Sequence, residues 1–146
     1  MKETKPPREL AIESNNHQFY EELKKGKYLP ELKRYEMAYL FVIAMAYGYY
    51  YDKRKPIKNP KRSVSTNFVK NQFDWLVKAI AISTTKESVE IIPDEAEIYK
   101  IAEEYANGGI EIIKKALLSS KPGEFELTME KELSKIEKSN TSKSAS

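Results

Sequence analysis

Apolar positions along this chain gather in a few blocks separated by charged and proline-rich stretches. Residues 35–51, YEMAYLFVIAMAYGYYY, are the most apolar block. Residues 37–47 carry no charge, proline or glycine. Ala, Met and Leu favour a helix, and apolar residues on every face predict burial on every face. We expect a central helix over residues 31–47, with Pro30 at its first turn and Gly48 as a left-handed cap that ends it. Residues 37–51 would span roughly 22 Å as a helix, short of the ~30 Å hydrocarbon core of a bilayer. Glu36 and Asp52 bound the block on either side. A buried core helix is therefore expected rather than a membrane span.

The flanking blocks predict further helices. Ser14, Asn15 and Asn16 offer N-caps to a short helix in which Phe19, Tyr20 and Leu23 share a face and which Gly26 ends. Residues 63–66 can cap a helix with Phe68, Val69, Phe73, Leu76, Val77, Ile80 and Ala81 at helical spacing. Residues 89–94, VEIIPD, read as a short extended piece. Asp94 can cap a third core helix over residues 94–106, with Glu95 and Glu97 in the first turn, where the helix dipole favours acids. Asn107-Gly108-Gly109 is expected to break it at a corner needing positive φ, before a fourth helix with Ile110, Ile113 and Leu117 on one stripe. The predicted fold class is all-α, a compact bundle of about four helices over residues 16–120. A flexible arm is expected over residues 1–15, with Leu10–Ile12 able to dock, and a tail over residues 121–146. Phe125, Met129, Leu133 and Ile136 fall on one face of a short amphipathic helix in that tail. That face either folds back or binds a protein partner helix-in-groove.

Composition removes several function classes. The chain has no cysteine and one histidine, His17. Disulfides, thiolate metal sites, cysteine nucleophiles and His-His metal motifs are thereby excluded. No metal or cofactor is expected. MKETKPPREL lacks the apolar segment of a secretory signal, so a cytoplasmic location and no membrane partner are expected. The charged, Lys- and Glu-rich composition fits a hyperthermophile bias.

A net charge of +3 is too small to argue nucleic acid by itself, but the charge is unevenly placed. Residues 52–62 hold six basic residues, Lys53, Arg54, Lys55, Lys58, Lys61 and Arg62, against one acid. They follow Tyr49, Tyr50 and Tyr51. Cations beside exposed rings can meet phosphates and stack on bases. Glu103 and Glu104 are adjacent, hence about 100° apart on a helix, which is poor geometry for a shared metal or an acid/base pair. The Asn107-Gly108-Gly109 run matches no phosphate-loop pattern, although it precedes a helix N-terminus able to hold an anion.

Two segments, AMAYGYYYDKRKPI (residues 44–57) and IAEEYANGGIEIIKKAL (residues 101–117), together resemble small accessory proteins encoded with DNA phosphorothioation systems and their relatives on archaeal and phage mobile elements. Gly48, Arg54, Pro56, Glu104, Tyr105, Ala106, Asn107 and Gly108 occupy the matching positions. The resemblance implies a non-catalytic accessory in DNA modification, defence or counter-defence. The expected function is that of a small binding protein, on the side of the modification system or an anti-CRISPR-like inhibitor, that docks onto a nucleoprotein complex. Its basic segment would face nucleic acid. The alternatives are a metal-dependent nuclease or phosphate hydrolase using Glu103 or Glu104, and a homo-oligomeric structural protein built on the tail stripe.

Overall fold

The computed structural model describes residues 5–84 and 94–119 of the 146-residue chain. The order is strand β1 (Glu9–Glu13), helix α1 (Ser14–Lys24), a 3-10 turn (Pro30–Arg34), α2 (Met37–Tyr50), strand β2 (Pro60–Ser65), α3 (Thr66–Thr84) and α4 (Glu95–Ser119). The fold is mostly helical, with four α-helices among the described residues. It is not strictly all-α, because β1 and β2 form a two-stranded antiparallel sheet. The tail residues Phe125, Met129, Leu133 and Ile136, and residues 89–93 of the expected extended piece, lie outside the described residues.

β1 replaces much of the arm expected over residues 1–15. Leu10, Ala11 and Ile12 are all buried, so this short run is covered on both faces. Its partner is the end of the basic segment. Leu10 pairs with Val64, Ala11 with Arg62 and Ile12 with Lys61, with a register shift between Leu10 and Ala11.

α2 is the core helix, yet its limits differ from those expected. Residues 31–34 belong to the 3-10 turn, and the helix runs from Met37 through Gly48 to Tyr50. Phe41, Ala44 and Met45 are wholly buried. The left-handed residue is Asp52, at φ 52°. Asp52 N–H donates to Tyr49 O at 3.2 Å and Lys53 N–H to Gly48 O at 2.7 Å, a Schellman motif. Aspartate tolerates this conformation better than most residues. Tyr49 and Tyr50 thus form the last residues of the helix, beyond the end expected at Gly48. Gly26, at φ +79°, closes α1 in the same way, as its sequence predicts.

The largest departure is α4. The expected corner at Asn107-Gly108-Gly109 is the middle of one continuous 25-residue helix. Neither glycine has positive φ. Their missing Cβ atoms serve close approach instead. A Cβ on Gly109 would sit 1.6 Å from Ala44 O, and one on Gly48 would sit 1.9 Å from Tyr105 O. α2 and α4 therefore cross backbone to backbone, with small residues on both sides. Asp94 caps α4 as predicted, accepting from Glu97 N–H at 2.9 Å. Residues 1–114 form one compact unit and residues 115–146 another. Residues 115–119 of the second unit are described, and they continue α4, where Ser119 Oγ donates to Lys115 O.

Candidate nucleic-acid interface

The connection between α2 and β2, residues 51–59, is irregular in backbone but tied down along its length. Lys55 N–H donates to Glu104 O at 3.0 Å. The buried Asn107 side chain donates through Nδ2 to Lys55 O at 3.1 Å and to Pro56 O at 3.2 Å. Gly108 leaves room for Lys53 O, which would be 1.9 Å from any Cβ there. At the far end, Glu13 Oε2 accepts from the N–H groups of Lys58 (3.1 Å) and Asn59 (2.9 Å), and Ser14 N–H donates to Asn59 O.

The six basic residues divide into two groups. Arg54, Lys55 and Arg62 are held by acids. Arg54 Nη2 and Nε meet Glu104 Oε1 at 2.7 and 2.8 Å, and its guanidinium also lies 5.9 Å from the Tyr105 ring centre. Lys55 Nζ is 3.4 Å from Glu111. Arg62 donates to Glu9 O at 3.1 Å and lies 3.6 Å from Glu103. Lys53, Lys58 and Lys61 are exposed, and their ammonium groups make no ion pair among the described residues. Three basic residues thus tie the segment to the body, and three point their charge at solvent.

Tyr50 and Tyr51, 44% and 43% exposed, adjoin Lys53 with their rings edge to face at 4.9 Å. Tyr49 is nearly as exposed, but its ring lies edge to face with Tyr105 and its hydroxyl beside Ser83.

Glu103 and Glu104 serve different neighbours. Glu104 takes Arg54. Glu103 accepts from Ala11 N–H and sits beside Arg62, which the strand register places opposite Ala11. Burial pushes the Glu103 carboxyl above its usual range, with the Ala11 N–H and Arg62 opposing. Among the described residues no three His, Asp or Glu side chains converge where they could hold a metal ion. No helix among them is long and apolar enough to cross a membrane.

Residues 44–57 and 101–117 are therefore two halves of one contact. Gly48 meets Tyr105, Arg54 meets Glu104, Pro56 meets Asn107 and Lys53 meets Gly108. The family model for DNA sulphur modification system-associated protein 4 matches residues 16–145, most of the chain and both halves of this contact. The chain belongs to that family. Comparison with curated proteins and with solved structures finds no match. In this chain the segments that carry the family resemblance form a loop clamp. Sequence reasoning missed the role of Asn107, Glu13 and Glu111 as partners of the basic segment. The one available signal was charge balance, since Arg54, Lys55 and Arg62 each had an acid elsewhere to meet.

Proposed function

We propose that this protein is a non-catalytic accessory of a DNA sulphur modification system, which docks onto a nucleoprotein complex and contacts nucleic acid through Lys53, Lys58 and Lys61. The observation that carries this reading is the division of the basic segment. Its backbone is pinned by Asn107, Glu13 and Glu104, while three ammonium groups on it remain unpaired among the described residues. A pinned backbone holds cations in place without ordering a loop at the moment of binding. Tyr50 and Tyr51 supply exposed rings at the same end. Membership in a family named for association with the modification system favours service to that system over its inhibition. In this reading Phe125, Met129, Leu133 and Ile136 are the protein-facing side of the chain.

The test is the triple variant Lys53→Gln, Lys58→Gln, Lys61→Gln, assayed by fluorescence anisotropy on labelled DNA over a salt series. Each phosphate contact contributes about 0.9 to the slope of log affinity against log salt on duplex DNA. The triple variant should bind more weakly and flatten that slope by roughly two to three. Affinity and slope equal to those of the parent would remove the segment from the interface.

A further inference from the structure

A cleft of about 420 Å³ opens between β1, the pinned loop and α4, a size within the range of small-ligand sites. One wall is apolar, from Pro56, Ile57 and Pro60. Arg62, Lys100, Glu103 and Glu104 also line the cleft, and Glu104 is taken up by Arg54. Lys100 makes no ion pair among the described residues, and Arg62 is half exposed, so both have donors to give. Glu103 Oε2 is engaged by Ala11 and Arg62, while Oε1 makes no hydrogen bond among the described residues.

These three features narrow the ligand. Two cations alone would accept any anion. A carboxylate beside them disfavours a bare anion and asks for a donor on the same molecule. Proline and isoleucine surfaces ask for an apolar partner. A nucleotide with an amino-bearing base supplies all three, and a carboxylate accepting from the cytosine amino group is an established pairing. We propose that this cleft takes one nucleotide, its base on the proline wall with the amino group at Glu103 Oε1, and its phosphate at Arg62 and Lys100. The inference rests on the proposed nucleic-acid contact and names the unit of it that is read. Burial that disfavours ionisation of Glu103 agrees with a carboxyl that gains from an incoming donor.

The experiment follows the backbone amides of the full chain by NMR during titration with dCMP, dTMP and inorganic phosphate, and with a short single-stranded oligonucleotide containing cytosine. The expected result is that dCMP shifts Ala11, Ile57 and Lys100. It should bind about fivefold or more tightly than dTMP, which lacks the amino group. Lys100→Ala should weaken dCMP severalfold with an unchanged melting temperature, and Glu103→Gln should bring the dCMP to dTMP ratio toward one. Phosphate shifting the same amides as strongly as dCMP, or dCMP shifting none of them, overturns the inference. Binding of the oligonucleotide but not of dCMP at the same amides, still dependent on Lys100, assigns the cleft to a nucleotide within a strand rather than a free one. Oligonucleotide binding that depends on Lys53, Lys58 and Lys61 but not on Lys100 leaves the proposed function standing and removes the cleft. Cleft binding of dCMP with no dependence of DNA affinity on the three lysines does the reverse.

Discussion

Gly109 lies against Ala44 so closely that one added carbon would stand 1.6 Å from the Ala44 carbonyl oxygen. No side-chain adjustment relieves a clash with backbone. Gly109→Ala should therefore force α2 and α4 apart, at a cost of about 3 kcal/mol or more. Thermal unfolding followed by circular dichroism would show this as a fall of roughly 10 °C or more. Gly26→Ala is the contrast. Its added Cβ would meet Lys33 Cβ and Pro30 Cα at 3.3 Å, tight contacts that ask for a shift of only a few tenths of an ångström, and with φ +79° it should cost about 1–2 kcal/mol, mainly through backbone strain.

Asn107→Ala removes the donor to two loop carbonyls, Lys55 O and Pro56 O. The expected loss is about 1–3 kcal/mol. Asn107→Asp should be worse, because it aims a carboxylate at the same carbonyls. Amide hydrogen exchange at Lys55 should accelerate in both, since its own bond to Glu104 O depends on the loop staying seated.

Arg54→Ala and the lysine variants should separate stability from binding. Arg54 is more than a third exposed, so its pair with Glu104 contributes only about 1 kcal/mol. A double-mutant cycle with Glu104→Ala should recover that coupling in chemical denaturation. The Lys53, Lys58 and Lys61 substitutions should leave the denaturation midpoint unmoved. A shift of equal size in both sets would contradict the division into tethering and free cations.

The pH dependence follows from Glu103. Burial raises its carboxyl above the ordinary 4.5, so between 4.5 and the raised value the folded chain binds more protons than the unfolded one. Its contribution to stability is fully present below about pH 4.5 and is lost as pH rises through the raised value. Glu103→Gln should thus gain relative to the parent as pH rises through that window, with no further change above it. Asp74 runs the other way. Partial burial opposes its ionisation, but hydrogen bonds from Lys78 and Tyr99 outweigh this and hold it below the usual range. Urea titrations at several pH values on the parent and the two single variants, Glu103→Gln and Asp74→Asn, would resolve the opposite slopes.

Trp75 is the sole tryptophan and is 70% exposed on α3, with Ile82 57% exposed two turns on. Its emission should resemble that of free indole in water and be fully quenched by iodide. Trp75→Ala should change stability by less than about 0.5 kcal/mol. A strongly blue-shifted emission would contradict this exposure.

Helical periodicity made α1 and α3 legible, together with the caps at Gly26 and Asp94. The Asn107-Gly108-Gly109 run was misread because glycine has two uses with one spelling. It permits positive φ, and it also lacks a Cβ where backbones touch. Nothing local separates these, since the deciding neighbours, Ala44 and Lys53, lie more than 50 residues away. Gly48 was misread for the same reason. The strands were hidden for another. β2 buries only Val64 and is otherwise polar, so its pairing with β1 rests on a partner distant in sequence and not on its own pattern. The basic segment was visible from charge alone. Which of its residues are spent on internal acids depended on tertiary contacts with Glu103, Glu104 and Glu111.

The clamp also imposes an order on biosynthesis. Residues 53–59 leave the ribosome well before Glu104, Asn107 and Gly108, which seat them. Until α4 emerges, Arg54 and Lys55 have no Glu104 or Glu111 to meet, and the nascent chain carries all six cations of the segment uncompensated by that helix. Completion of α4 then pairs Arg54, Lys55 and Arg62 with its acids and leaves Lys53, Lys58 and Lys61 as the cations of the segment with no ion pair among the described residues.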